Sequence, residues 1–142
     1  MSKRLFTATS SAQGGRTGTV TLGRDASVLP LRRPHTSESG TDPEELFAAG
    51  YAACFASALG GVARAEHADV QAAVITAHVS LHMTDTRDYF LSVVLEGDLP
   101  GLSEDTALRL MQAAHAVCPY SNAVRGNVDV QLTLKAATPQ ES

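Results

Sequence analysis

Between Glu45 and Arg64 the chain carries no charged residue, and most of that stretch is small: alanines, Gly50, Gly60, Gly61, Ser57 and Cys54, with few large aliphatics. What precedes it is a helix start. Asp42 stands at the N-cap, Pro43 at the first helical position and Glu45 three residues after the cap, which predicts a capping box. The helix should reach about residue 66, and its glycines are where a break would fall. Its uncharged length approaches the roughly 20 residues that span a bilayer. Composition weighs against a span, because alanine and glycine gain little from transfer into lipid. A helix that is small all round is better placed at the centre of a fold, where other backbones, including those of a second subunit, pack closely on it.

Sheets come from the rest of the chain. Residues 5–11, 18–23 and 28–31 carry Thr, Val and Leu in strand-like runs, separated by Gly14-Gly15 and by Arg24-Asp25-Ala26. Residues 32–41 read as a loop. Over residues 70–83 the odd positions Ala73, Ile75, Ala77, Val79, Leu81 and Met83 are apolar, the two-residue period of a half-buried strand, and a turn at 85–88 leads into a second strand at 89–96. Ser103 caps a helix over 104–117, in which Ala107, Leu110, Met111, Ala114 and Val117 repeat at helical spacing, and Pro119 stops it at Cys118. Residues 127–135 alternate again, with Val128, Val130, Leu132 and Leu134 on one face, and the last few residues read as a free tail. The expectation is one α+β domain over residues 1–142 in the order βββ-α-ββ-α-β.

Charge narrows the partners. Eleven Lys and Arg against 15 Asp and Glu give a net charge of -4, no footing for nucleic acid or an anionic membrane surface. No apolar run of signal-peptide length follows the N-terminal basic residues, so a cytoplasmic setting is expected, where thiols stay reduced. The sequence has 2 cysteines in 142 residues. A chain of this length builds its own core, so Cys54 and Cys118 point to redox or metal chemistry before a structural staple. Cys54 has no charged neighbour in sequence, and a reactive thiolate needs a cation. Arg16, framed as Gly14-Gly15-Arg16-Thr17-Gly18, is the candidate for aiming a guanidinium from a tight turn; the competing reading is a solvated turn residue.

Two strings identify a resemblance. Asp42-Pro43-Glu44-Glu45-Leu46-Phe47-Ala48-Ala49-Gly50-Tyr51-Ala52-Ala53-Cys54-Phe55 and Ala114-His115-Ala116-Val117-Cys118-Pro119-Tyr120-Ser121-Asn122-Ala123-Val124-Arg125-Gly126-Asn127 closely resemble the two signatures of the organic hydroperoxide resistance proteins, a branch of the Ohr/OsmC family. The resemblance implies an OsmC-like fold, an intertwined homodimer whose sheets wrap two central helices. It implies a thiol peroxidase without haem, flavin or metal, acting on alkyl and fatty-acid hydroperoxides. Its reductant would be a lipoyl-type dithiol, dihydrolipoamide or a lipoylated protein. In that scheme Cys54 matches the peroxidatic cysteine, Cys118 the resolving one, Arg16 the thiolate-activating arginine and Glu44 the carboxylate that orients it. Two departures stand out: Asp42 where the family often has Asn, and a loop over 33–41 that is shorter and less glycine-rich, which bears on substrate range.

Geometry adds a condition. Ten helical residues from Glu44 to Cys54 rise about 15 Å. Either the helix breaks near Gly50, or the Arg16/Glu44 pair serves Cys54 of the other subunit; the second is favoured. Phe47, Phe55, Leu110 and Met111 are candidates for an apolar substrate pocket, against the alternative that they are core. Competing functions are a zinc site from His115, Cys118 and Cys54, a dimeric small-ligand binding module, and the osmotically induced OsmC branch of the family. His78 and His82 read as polar surface on a strand.

Overall fold

In a computed structural model, described over residues 2–135, the chain divides into two compact units, Met1–Leu46 and Phe47–Ser142. The tail expected after residue 135 lies outside the described residues.

The first unit is an antiparallel meander of β1 (Ser10–Gln13), β2 (Thr19–Leu22) and β3 (Ser27–Pro30). Its β1–β2 connection is a single 3-10 turn, Gly15–Thr17, entered through Gly14 at φ 82. A side chain at Gly18 would run into the carbonyl oxygen of Gln13, so the turn can close only with glycine there. Arg16 therefore projects from a tightly defined turn. The first strand starts later than its composition predicts: residues 5–9 are unpaired, with Leu5 83% and Phe6 78% exposed. Strand-forming side chains make a strand only where a neighbouring edge pairs with them, and no ladder among the described residues includes residues 5–9. After β3 the loop closes on itself through the Leu31–Thr41 bridge and the Arg32 Nε bond to the Gly40 carbonyl at 2.8 Å.

The second unit is a three-stranded sheet covered by helices. β4 (Val74–Met83) and β5 (Tyr89–Asp98) form the expected hairpin, and β6 (Asp129–Leu134) returns parallel to β5, which is central. The register puts Ala77 opposite Leu95 opposite Leu132, and Val79 opposite Val93 opposite Val130, so one face of all three strands is apolar. Strand β4 begins four residues later than its alternation predicts. The Asp69 carboxylate accepts the Gln71 N–H at 3.0 Å and Ala73 N–H turns back to the Val70 carbonyl, taking these groups out of any ladder.

Helix α1 (Pro43–Ala65) is continuous, which removes the break considered near Gly50. That glycine serves a close approach instead: a Cβ there would lie 2.9 Å from the Tyr120 hydroxyl. The predicted cap is half formed. Asp42 Oδ1 accepts the Glu45 N–H at 2.7 Å, but the Glu45 carboxylate takes the Thr41 hydroxyl at 2.7 Å rather than reaching back to the cap. Tyr51, Phe55, Leu59 and Ala63, spaced four apart, are the buried stripe of α1. They meet Val93 and Leu95 of β5 and Ala107, Leu110, Met111 and Ala114 of α2 (Glu104–Val117) in one core cluster. The opposite face of α1 presents Ala49, Ala53, Ala56, Ser57 and Gly61 to solvent.

Pro119 ends α2 as its ring requires, yet the chain re-enters a helix at once, α3 (Pro119–Val124), because proline is at ease at a first helical position. The predicted order thus gains a short third helix, and Cys118 becomes an extended hinge residue at φ -65, ψ 126 between two helices.

Leu59→Ala should lower the unfolding free energy by about 2–5 kcal/mol, seen as an earlier urea midpoint at unchanged slope. An unchanged midpoint would contradict the packing of the α1 stripe.

Candidate functional site

Helix α1 carries Cys54 one turn after Tyr51, at the edge of the buried stripe, where the residue is partly buried. The hinge between α2 and α3 carries Cys118, which is fully buried. Both are free thiols, and the Cys118 S–H is directed at the Cys54 sulfur over 3.7 Å. A disulfide needs about 2.05 Å, so the pair is adjacent and unbonded.

Burial pushes the Cys54 thiol up from its ordinary value. The backbone N–H of Tyr120, in the first turn of α3, acts the other way by bonding the sulfur, and Cys118 pushes up again because two neighbouring sulfurs resist ionising together.

A guanidinium is built elsewhere in the fold. Arg16 Nη1 and Nη2 bond Glu44 Oε2 and Oε1 at 2.9 and 2.6 Å, a two-pronged pair that fixes the plane of the group. Arg16 is thus more than a solvated turn residue, though half its side chain remains exposed. The Glu44 carboxyl is held below its ordinary value, first by the Arg16 hydrogen bonds, against a smaller upward push from burial. Each expected pair forms within one unit, Arg16 with Glu44 in the first and Cys54 with Cys118 in the second.

Of the four pocket candidates, Phe55, Leu110 and Met111 are wholly buried core residues, and Phe47 lies at the core's margin, edge-on to Tyr51 at 6.2 Å. Tyr120, which the sequence reading did not single out, stands 41% exposed and packs on Tyr51 at 5.8 Å. A buried network was also missed. The Tyr51 hydroxyl and Ser121 Oγ lie 2.6 Å apart, His115 Nδ1 lies 2.8 Å from the same Oγ, and Arg125 Nη2 bonds the His115 carbonyl at 2.7 Å. Burial, helped by the Arg125 charge, lowers the His115 pKa, which favours the neutral imidazole. His115 is thus engaged with Ser121, and among the described residues no group of three His, Cys, Asp or Glu is arranged to hold a metal ion. His78 bonds Glu96 at 2.9 Å and His82 bonds Ser92 at 2.7 Å on the exposed sheet face.

With this geometry the chain can be set beside known proteins. The profile of the OsmC-like protein family matches residues 36–133. Organic hydroperoxide resistance protein OhrA of Bacillus subtilis (strain 168) is 48% identical over 93% of this chain and 97% of its own. The crystal structure of OhrB from the same species superposes with a TM-score of 0.86 at 40% identity, covering 93% of this chain and 100% of that one. An organic hydroperoxide resistance protein from Legionella pneumophila superposes at 0.85 with 42% identity, covering 94% and 100%. The chain belongs to the OsmC-like family and, within it, to the organic hydroperoxide resistance branch.

Because its folded pKa is depressed, Glu44 contributes stability above the ordinary value of 4.5 and loses it as pH falls through the folded value. Glu44→Gln should therefore cost no more than about 1 kcal/mol at neutral pH, given the exposure of Arg16, and nothing in strong acid. A deficit that persisted unchanged into acid would contradict the pairing.

Proposed function

We propose that this protein is a thiol peroxidase that reduces organic hydroperoxides to alcohols. The observation that carries the reading is the Cys54–Cys118 pair, one residue partly exposed and the other buried, their sulfurs 3.7 Å apart and unbonded. The Cys54 thiolate attacks the distal oxygen of R–O–O–H, the O–O bond breaks, the alkoxide leaves and takes up a proton, and Cys54 becomes a sulfenic acid. Cys118 then displaces the hydroxyl as water and closes a disulfide, which shields Cys54 from further oxidation. A lipoyl-type dithiol, dihydrolipoamide or a lipoylated protein, reopens the bridge by exchange. Cytoplasmic reducing conditions suit both thiols.

Arg16 supplies positive charge, drawing the Cys54 pKa down and donating hydrogen bonds as charge grows on the leaving oxygen, with Glu44 fixing its direction. Along an unbroken α1 the ten-residue step between Glu44 and Cys54 is about 15 Å, which favours service to Cys54 of the partner subunit. The small exposed face of α1 supports a homodimer built on close helix packing: nothing lies within 4 Å of a Cβ added at Gly60 or Gly61. Phe47 and Tyr120, both packed on Tyr51 one turn before Cys54, favour an alkyl substituent over H2O2.

With dihydrolipoamide as reductant, turnover of tert-butyl hydroperoxide should exceed that of H2O2 and fall to background in Cys54→Ser. Full turnover by that variant would end the proposal. Mixing Arg16→Ala with Cys54→Ser subunits should restore activity through dimers holding one intact shared site; no recovery would place the pair and the sulfur in one subunit.

A further inference from the structure

Three polar side chains meet inside an otherwise apolar core, and none of them belongs to the chemistry described above. Tyr51 and Ser121 are wholly buried and His115 is half-buried, and the Ser121 hydroxyl joins the other two at 2.6 and 2.8 Å. Their placement is regular. Tyr51 is three residues before Cys54, His115 three before Cys118 and Ser121 three after it. Beside the contact between the sulfurs and the Tyr120 N–H bond to the Cys54 sulfur, the Tyr51–Ser121 bond ties α1 to the turn that follows Cys118.

That hinge is pinned on its other side as well. Arg125 bonds the His115 carbonyl at 2.7 Å and the Asn122 side chain at 2.9 Å, while the Cys118 N–H bonds the Ala114 carbonyl and the Asn122 N–H bonds the Cys118 carbonyl. Apolar residues of like volume would fill the same space without desolvating three polar groups. What a fully satisfied polar chain adds is one defined geometry. Resting on the peroxidase reading, we infer that Tyr51, Ser121 and His115 are positioning residues for the resolving step, holding the Cys118 hinge against α1 so that its sulfur stays within reach of Cys54.

The two chemical steps depend on this device differently. Attack on peroxide needs Cys54 and a cation. Closure needs the sulfurs to approach from 3.7 Å to bonding distance: the S–O bond of the sulfenic acid breaks, the S–S bond forms, and the hydroxyl leaves with the Cys118 proton as water. A displacement of the hinge by an ångström leaves the first step alone and slows the second by tenfold to about a hundredfold. The sulfenic acid then survives long enough to meet another peroxide.

The test uses the reduced full-length protein, one equivalent of tert-butyl hydroperoxide, and dimedone to trap sulfenic acid, with peroxide loss and disulfide formation followed separately by mass spectrometry. Wild type should consume the peroxide and give disulfide with little adduct. Ser121→Ala should consume it at the wild-type rate, accumulate the Cys54 adduct, close the disulfide at least about tenfold more slowly, and reach sulfinic acid at correspondingly lower peroxide. Tyr51→Phe, which keeps the ring and its packing, should behave the same way and decides the matter if Ser121→Ala does not fold. Disulfide closure at the wild-type rate in a folded variant overturns the inference while leaving the peroxidase intact, and so does an equal slowing of both steps. A wild-type protein that consumes no peroxide removes the peroxidase reading, and the inference with it.

Discussion

A sulfur withdrawn from water keeps its proton, and much of this structure answers that constraint. Cys54 lies against the apolar stripe of α1, where burial and the neighbouring sulfur both favour the thiol, and one backbone N–H from Tyr120 is the local counterweight. The fold offers charge in the form of Arg16, held by both oxygens of Glu44, a carboxylate whose pKa that bond lowers below its ordinary value. On the proposed reading, reactivity is created where the two sets of residues meet across a dimer. A thiol kept inert until that moment is protected from stray oxidation.

The sheet of the second unit explains how two cysteines far apart in sequence become neighbours. β5 is central and carries the core face, α1 lays Tyr51, Phe55, Leu59 and Ala63 in the cluster built on it, and α2 closes that cluster with Leu110 and Met111. The parallel return from β5 to β6 requires a crossover, and α2 and α3 provide it. Proline at position 119 turns the middle of that crossover into an extended residue, and the residue is Cys118. The Cys118 sulfur is thus placed by a backbone junction whose position the surrounding hydrogen bonds set.

What was legible in the chain was local. The Asp42-Pro43 start of α1, the bounds of α2, and the alternation of β4 and β6 follow from caps and periods that act over a few residues. The Arg16–Glu44 and Cys54–Cys118 pairs were drawn from family motifs, and their side chains do meet. The misses share one cause. Residues 5–9 look like a strand but join no ladder among the described residues. Gly50 looks like a break but makes room for Tyr120. Glu45 looks like half of a capping box but is taken by Thr41, and Ser121 finds Tyr51 seventy positions away. Each outcome was decided by a partner that no short-range pattern encodes.

The central claim is that one sulfur splits the peroxide and the other rescues it within the same chain. The most direct measurement is a thiol count against added cumene hydroperoxide, with peptide mapping of the product. The account predicts two thiols lost for each peroxide reduced, the chain lighter by two hydrogens, and one cross-linked peptide joining Cys54 to Cys118. Loss of a single thiol per peroxide, or a bridge between two copies of Cys54, would contradict it.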